Sequence, residues 1–407
     1  MERFFNDSKT IRRFRSGPLG IHIHQLAEEL AEQGFARRSV REQIRSVDHF
    51  GRWLRRCRIP ISAVTHDHAG RYIARHGRVK RGDARALSRV LEILAKRGLI
   101  ARQEIPKTPQ DRVIDRYAEY LQRERTLAPR TIEYHRTIAA HFLAHRFDDG
   151  PVSLCSIQAG DVFAFVRHEA SRMSSQSAKK VTTVLRSFLS YGRFCGAIDR
   201  DLTGAVPTVA SWSLAGIPKR LSRDEVNRVL ASCNRRTTIG RRDYAILLLL
   251  ARLGLRASEV ASLNLDDIDW AAGTFSVRGK GGKPCKLPLP QDVGQAIANY
   301  LRKDRPSVPT RRVFLRVTAP IVGFVTGYAV GLIVKYALAR AGVQSHSKGA
   351  HQFRHTLATE MLRSGASLAE IGEVLRHENP NKTTSIYAKV DFAALRPLAL
   401  PWLGGVQ

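Results

Sequence analysis

Residues 250–269 read LARLGLRASEVASLNLDDID. They continue the apolar block 245–250, so the pattern predicts a buried helix, a turn at Gly254 and a second helix from about Ala257. Arg256 falls at the start of that second helix, where backbone N–H groups favour anions. Glu259 lies one turn further on and is suited to orient the Arg256 guanidinium, although an ordinary i,i+3 salt bridge is the simpler interpretation.

A β-hairpin is predicted over residues 274–289, TFSVRGKGGKPCKLPL. Apolar side chains alternate along both arms, and GKGGKP between them is typical of a turn. The tip of this hairpin therefore carries two cations, Lys280 and Lys283.

Residues 351–377, HQFRHTLATEMLRSGASLAEIGEVLRH, begin with a helical pattern. A spacing of three residues puts His351 and Arg354 on one helical face, where an imidazole and a guanidinium can serve the same phosphate. Taken alone, this HxxR pattern more often marks an exposed face. His355 is ambiguous, and a structural or supporting role is favoured for it.

The stretch after this helix ends in a single tyrosine. Arg376 and His377 precede a turn at 379–381, Asn-Pro-Asn, and Tyr387 then falls on a predicted short helix. A lone tyrosine on such a helix is usually a core or interface residue.

These residues form an ordered series of cations and imidazoles that ends in a phenol. No carboxylate cluster or metal-ligand set accompanies them in the sequence. Such a series suits chemistry on a phosphodiester, because its donors can stabilise a developing dianionic phosphorus and the phenol can act as nucleophile. Each member alone has an ordinary structural interpretation, and only the order and spacing favour the functional one.

The ordered series resembles the tyrosine recombinase (phage integrase) family over residues 107–395, most strongly from 244 to 391. The resemblance implies a mainly α fold with a small β-hairpin or sheet, in which helical N-terminal DNA-binding domains precede a mixed α/β catalytic domain. It implies catalytic roles for Arg256, Lys280, His351, Arg354, His377 and Tyr387. It also implies supporting roles for Glu259, Lys283 and His355.

The resemblance further implies a mechanism. Tyr387 would attack the scissile phosphate to give a 3′-phosphotyrosyl bond, while the two arginines and His377 stabilise charge on the non-bridging oxygens. Lys280 would protonate the leaving 5′-oxygen, and His351 would accept the tyrosine proton. No cofactor and no metal are expected. The implied partner is double-stranded DNA, bound by a homotetramer or together with sister recombinases.

Two features depart from the family pattern. The chain has Leu375-Arg376-His377 where members commonly have LGH, so an open site is expected around Arg376. The interval from His377 to Tyr387 is one residue longer than the commonest pattern. In addition, Lys283 competes with Lys280 for the role of the hairpin lysine.

Composition supports a polyanionic partner. The 407 residues include 67 Lys and Arg against 36 Asp and Glu, a formal net charge of +31. A surplus of this size favours nucleic acid, although an arginine-rich proteome is the simpler explanation. The basic residues are dispersed, which indicates basic faces on folded helices rather than a disordered arm.

The cysteines and the apolar segments indicate a cytoplasmic protein without a membrane span. The five cysteines are widely spaced and no CxxC occurs, which disfavours a disulfide scaffold or a zinc site. The N-terminus has no apolar signal-peptide core. Residues 317–334 are uncharged but contain Pro320 and three glycines, so a loop followed by a buried helix from Val325 is the better interpretation.

The chain divides into three predicted regions: a helical arm-like domain (1–106), a core-binding, SAM-like helical domain (107–210) and a catalytic domain (216–407). The stretches RRSVREQIRSVDHFGRWL (37–54) and PRTIEYHRTIAAHFLAHR (129–146) align at an offset of 92 residues. Further matches keep the offset between 92 and 94. This pattern predicts that the first domain is a duplicated core-binding unit.

The predicted function is site-specific recombination or integration, with a mobile element favoured. Three alternatives stay open. A type IB-like topoisomerase uses a similar site, and a catalytically inactive DNA-binding regulator would keep only a relic of it. A bare nucleic-acid-binding module would explain the charge of +31 but not the ordered series.

Overall fold

The computed structural model describes the following residues: 1–75, 82–101, 107–148, 150–210, 220–279, 284–345, 349–377 and Tyr387. Most of them are helical, as the sequence predicts, and three short strands form one small sheet.

Helices make up the two N-terminal regions. The first contains α1 (Ser8–Ser16), α2 (Gly20–Glu32), α3 (Arg37–Arg56), a 3₁₀ turn (Ile61–Ala63), α4 (His66–Arg75) and α5 (Asp83–Lys96). The second contains α6 (Pro109–Arg123), α7 (Pro129–Phe147), a 3₁₀ turn (Leu154–Ser156), α8 (Ala159–Ala170), α9 (Ser175–Phe194) and a last 3₁₀ turn (Thr203–Ala205).

The two regions repeat one order of elements at a nearly constant spacing. The helix beginning at Arg37 has its counterpart 92 residues later, the 3₁₀ turn and α4 have theirs 93 residues later, and α5 has its counterpart 92 residues later. Equivalent core positions are buried in both, since Phe50 and Phe142 are each 0% exposed. This repeat of a helix, a 3₁₀ turn and two helices agrees with the offset in the sequence.

In the C-terminal region, helices precede and follow the three strands along the chain. Its elements are α10 (Arg223–Ala231), α11 (Thr238–Leu253), α12 (Ala257–Ser262), a 3₁₀ turn (Leu265–Asp267), β1 (Ile268–Asp269), β2 (Thr274–Arg278), β3 (Pro284–Pro288), α13 (Gln291–Lys303), α14 (Gly327–Arg340), α15 (His351–Arg363) and α16 (Leu368–Val374).

Local sequence signals account for several of these boundaries. Ser222 accepts the backbone N–H of Glu225, and the Glu225 carboxylate accepts the N–H of Ser222, which starts α10 with a capping box. Ser367 and Glu370 start α16 in the same way. The apolar block 245–250 lies fully inside α11, whose helix ends at Gly254 with a φ of +56°.

The predicted hairpin is present. β2 and β3 pair antiparallel with Phe275 opposite Leu287, and β1 adds a third, two-residue strand that the sequence pattern did not reveal. The tip, residues 280–283, lies outside the described residues.

The uncharged stretch 317–334 is a loop followed by α14. The helix starts at Gly327, and Val325 is 91% exposed, so the expectation of a buried helix from Val325 was wrong by two residues. Among the described residues, no helix is both long and apolar enough to cross a membrane.

Contacts divide the chain into two compact units, Met1–Gln103 with Gly216–Gln407 and Glu104–Ala215. The N-terminal helices have an apolar cluster of their own, and so does the second unit. Within the first unit the N-terminal helices contact the C-terminal region where the Gln33 carbonyl accepts the N–H of Ile321 at 2.8 Å. A separate small cluster in that region contains Ile371, Leu375 and Tyr387, and it lies beside the residues described next.

Candidate active site

Arg354 is the buried centre of the site. Its side chain is 1% exposed and donates to the carbonyl of Gly254 at 2.7 Å and to the carbonyl of Leu375. Burial and the positive charges of Arg256 and Arg376 lower its pKa to about 10, so the group stays charged at neutral pH. One guanidinium thus joins the turn after α11 to the end of α16 and places a positive charge near Arg256 and Tyr387.

The turn at Gly254 makes this arrangement possible. A Cβ at Gly254 would meet a methyl carbon of Leu375 at 2.8 Å and one of Leu357 at 3.0 Å. The positive φ and this close approach explain why residue 254 is a glycine. The turn that it forms positions Arg256 two residues later.

Arg256 precedes α12, as the sequence predicts, and it is more accessible than Arg354. Its side chain is 26% exposed, and its guanidinium donates to Oε1 of Glu259 at 2.7 Å and to the carbonyl of Arg376 at 3.2 Å. The Arg256 backbone N–H also donates to Oε2 of Glu259 at 2.8 Å. Glu259 therefore fixes both the backbone and the side chain of Arg256, beyond an ordinary surface ion pair.

Arg376 corrects one expectation. Its backbone has a φ of +55°, a left-handed conformation that suits the glycine of the LGH pattern. The site around it is not open, because the side chain is only 9% exposed and donates to Oε2 of Glu259 at 3.1 Å. The exchange of glycine for arginine is accommodated by a buried ion pair instead of by solvent.

Tyr387 is buried beside two imidazoles. Its side chain is 1% exposed, and its hydroxyl lies 2.9 Å from Nδ1 of His355. The His377 ring lies nearly parallel to the Tyr387 ring, with centroids 6.4 Å apart. Burial raises the pKa of Tyr387 to about 12, against a smaller lowering by Arg354, so the phenol is protonated at neutral pH.

The neighbouring imidazoles are neutral at pH 7. Burial lowers the pKa of His355 and of His377 to about 4. Smaller contributions come from His351 and then Arg354 for His355, and from Arg354 and then Arg256 for His377. His351 contacts His355 edge to face, with ring centroids 4.9 Å apart. Surrounding protein atoms and the charges of Arg354 and Arg256 lower the pKa of His351 as well.

Five of the six predicted catalytic residues are described, and they lie in one connected group. Arg256, Arg354 and the segment 375–377 are linked by the hydrogen bonds above, and His351 reaches Tyr387 through His355. Lys280, with its competitor Lys283, lies outside the described residues, as does the lengthened turn at 378–386.

Two residues have a larger part in this group than the sequence indicated. His355, expected to be structural or supporting, is the group that contacts the tyrosine hydroxyl, and its place one turn after His351 was the available signal. Arg376 stood out only as a departure from a pattern. In the described part of the chain, no three His, Cys, Asp or Glu side chains are grouped to hold a metal ion.

The sequence matches two known family models, one in the second region and one in the C-terminal region. The model of the phage integrase family matches residues 219–394, and the model of the phage integrase N-terminal SAM-like domain matches residues 114–193. Putative integrase/recombinase y4rA of Sinorhizobium fredii (strain NBRC 101917 / NGR234) is 49% identical over 411 residues, covering 100% of both proteins. The chain belongs to the phage integrase family. It is a tyrosine recombinase.

Further relatives of this tyrosine recombinase, found by sequence and by structure, support the same family. Tyrosine recombinase XerC of Oceanobacillus iheyensis (strain DSM 14371 / CIP 107618 / JCM 11309 / KCTC 3954 / HTE831) is 30% identical over 290 residues, which cover 70% of this chain and 93% of XerC. Among solved structures, XerH site-specific recombinase bound to palindromic difH substrate has a TM-score of 0.54 at 18% identity and covers 78% of this chain and 89% of that one. At that identity the structural likeness shows the fold alone.

Proposed function

We propose that this tyrosine recombinase acts at specific sites on double-stranded DNA, cleaving and rejoining strands through a covalent bond between Tyr387 and a 3′-phosphate. The observation that carries the proposal is the Tyr387 hydroxyl, held 2.9 Å from a neutral imidazole in the pocket of the buried Arg354. Support for a DNA partner comes from the net charge of +31 and from structural neighbours solved in complex with DNA.

In the cleavage step a bond forms between the Tyr387 hydroxyl oxygen and the scissile phosphorus, and the bond from phosphorus to the 5′-oxygen breaks. The phenol must lose its proton, and its raised pKa means that a base is needed. His355 is the proposed acceptor, because its Nδ1 faces the hydroxyl and its lowered pKa leaves the ring neutral. This assignment revises the role first expected of His351.

Charge on the phosphate is stabilised by the two arginines and His377. Arg256 is partly exposed and therefore reachable by a phosphate, whereas Arg354 contributes a charge fixed by two carbonyls. Preorganised donors of this kind typically contribute about 10²–10³ in rate each. Lys280 is proposed, from the family resemblance, to protonate the leaving 5′-oxygen.

Rejoining reverses these bonds with a new strand. A 5′-hydroxyl from a second strand gives its proton to Lys280 and attacks the phosphotyrosine, the bond to Tyr387 breaks, and the tyrosine recovers its proton from His355. The phosphodiester energy is retained in the covalent link, so these steps need neither ATP nor a metal. Exchange between two duplexes uses four such sites, which is the basis for proposing a homotetramer on DNA, alone or with sister recombinases.

We propose three functional domains: a duplicated core-binding unit (1–106), a core-binding unit (107–210) and the catalytic domain (216–407). The domain of residues 1–106 would add phosphate contacts from basic side chains such as the exposed Arg55 and Arg56 of α3. Replacing both by glutamine should weaken DNA binding for all sequences alike and reduce the slope of log affinity against log salt by about 1 per lost contact. An unchanged slope would contradict a DNA role for this surface.

Integration, excision or transposition of a mobile element is the proposed biological role. It is supported by the relatives in Sinorhizobium fredii that are named putative integrase/recombinase, two of which match the whole chain.

The decisive experiment traps the covalent intermediate. A binding site would first be selected from a random-sequence duplex library, and duplexes carrying it would be nicked next to the cleavage position so that cleavage cannot reverse. The full chain should form a denaturant-stable adduct, and Tyr387→Phe should form none. Tyr328→Phe is the matched control, since Tyr328 is 71% exposed on α14.

Each outcome decides between functions. No adduct from the wild-type chain on a verified site would overturn the enzymatic mechanism and favour a DNA-binding regulator. Relaxation of any supercoiled plasmid without the selected site would favour a topoisomerase.

A further inference from the structure

Arg376 is a third guanidinium beside the paired arginines, at a position where neither the family pattern nor the proposed mechanism assigns a function. It lies between Leu375, whose carbonyl accepts from Arg354, and His377. Its own carbonyl accepts from Arg256 at 3.2 Å. Its backbone thus belongs to the frame of the site, and its side chain is a separate feature of this chain.

The Arg376 side chain shares one buried carboxylate with Arg256. Glu259 is 3% exposed. Its Oε1 accepts from the Arg256 guanidinium at 2.7 Å, and its Oε2 accepts from the Arg376 guanidinium at 3.1 Å. A carboxylate this deeply buried is strongly unfavourable unless it is paired and hydrogen-bonded.

Sharing matters when Arg256 has to serve a phosphate. If the Arg256 guanidinium keeps its hydrogen bonds to Glu259, it has fewer donors for a non-bridging phosphate oxygen. If it turns towards the phosphate instead, the buried Glu259 carboxylate loses part of its compensating charge. A second guanidinium already on Oε2 reduces that penalty. The 9% exposure of the Arg376 side chain keeps this pair largely out of water, where its attraction is less screened.

We propose that Arg376 is a positioning residue: it keeps the Glu259 carboxylate in an ion pair and so releases the Arg256 guanidinium to bind the scissile phosphate. The proposal rests on the proposed function, because it concerns the same cleavage step. It predicts that the effect of Arg376 on cleavage depends on the charge of Glu259.

A double-mutant cycle tests this dependence in the full-length protein. Arg376→Gln keeps a long polar side chain and the same backbone demand but removes the charge, and Arg376→Lys keeps the charge. In single-turnover adduct formation on the nicked duplex, Arg376→Gln should slow cleavage about tenfold or more, and Arg376→Lys should stay within about threefold of the wild type. In a Glu259→Gln background, adding Arg376→Gln should change the rate by less than about threefold.

Two further measurements separate positioning from other roles. Thermal unfolding should show that the single variants are folded. The affinity of each variant for the uncleaved duplex, measured in a Tyr387→Phe background, should change by less than about threefold. Arg363→Gln, which removes a half-exposed arginine paired with Glu360 on α15, is the control for lost positive charge and should cleave normally.

The proposal is overturned if Arg376→Gln cleaves at the wild-type rate, or if its defect is equally large in the Glu259→Gln background. It is also overturned if the defect appears wholly as weaker DNA binding, because Arg376 would then contact the phosphate directly. A wild-type protein that forms no adduct contradicts the proposed function instead, and that result is distinguishable because it precedes any comparison of variants.

Discussion

Nδ1 of His355 lies 2.9 Å from the hydroxyl oxygen of Tyr387, whereas the described ring contact of His351 is with His355, edge to face. The lowered pKa of His355 and the raised pKa of Tyr387 fix the protonation states at neutral pH. A protonated phenol donates to the neutral imidazole in the tautomer that carries its ring proton on Nε2. This is the arrangement that a general base needs before proton transfer.

The first prediction concerns this contact. Replacing His355 by glutamine should slow single-turnover cleavage by about 10²–10⁴, the usual contribution of a positioned general base. Replacing His351 by glutamine should have a smaller effect, because its ring acts on the tyrosine only through His355. Adduct formation on the nicked duplex measures both. A larger defect in His351→Gln would return the proton-accepting role to His351.

Local signals made much of this region predictable from sequence. The Ser222 and Glu225 capping box, the apolar block before Gly254 and the alternation around Phe275 each depend on neighbouring residues, and each element was found where it was expected. The family resemblance pointed to Arg256 and Arg354, which donate to the backbone carbonyls of residues 376 and 375, respectively.

The parts that the sequence did not reveal depend on contacts between distant segments. Arg376 and Glu259 are 117 residues apart, and nothing near either residue indicates that their side chains meet. Sequence comparison suggested an open site at Arg376, whereas tertiary packing buries it. The contact between His355 and Tyr387 similarly joins residues that are 32 positions apart.

The second prediction concerns pH. The pKa of both His355 and His377 is lowered from 6.5 to about 4 in the folded protein. Between these values the unfolded chain binds protons at the two rings and the folded chain does not, so acid favours unfolding. The free energy of unfolding should therefore fall as pH decreases from about 7 to about 4. Chemical denaturation across that range measures the fall.

A variant isolates the contribution of His355. His355→Gln removes one of the rings whose pKa is lowered on folding, so its free energy of unfolding should depend less steeply on pH than that of the wild type. Equal slopes for the two proteins would contradict a strongly lowered pKa at His355.

The third prediction separates the two arginines. Arg354→Lys should lower the free energy of unfolding by about 1 to 3 kcal/mol, because one ammonium cannot serve the carbonyls of both Gly254 and Leu375 in the geometry of the guanidinium fork. Arg256→Lys should cost less than about 1 kcal/mol, since its side chain is 26% exposed. Both should reduce adduct formation by about 10² or more.

Urea denaturation and single-turnover cleavage give the two readouts. Arg354→Lys should be impaired in both, and Arg256→Lys in cleavage alone. If Arg256→Lys lost as much stability as Arg354→Lys, the buried carboxylate of Glu259 would depend mainly on Arg256. Its second partner, Arg376, would then not be sufficient to stabilise it.

The fourth prediction concerns the turn that separates α11 from α12. Gly254→Ala places a methyl group at a φ of +56° and within 2.8 Å of Leu375, so the turn or Leu375 must shift. A left-handed alanine costs about 1–2 kcal/mol and overpacking about 1–3 kcal/mol more. The shift should also disturb the carbonyl of Gly254 that holds Arg354, and cleavage should fall together with stability.

Gly273→Ala is the matched control, because Gly273 has a φ of +60° and a Cβ there would meet nothing within 4 Å. That variant should lose only the backbone contribution, about 1–2 kcal/mol, and should cleave the nicked duplex at the wild-type rate once it is folded. The difference between the two variants measures the crowding of Gly254 against Leu375. If both lost the same stability and both kept full cleavage, the close packing of this turn would have no part in placing Arg354.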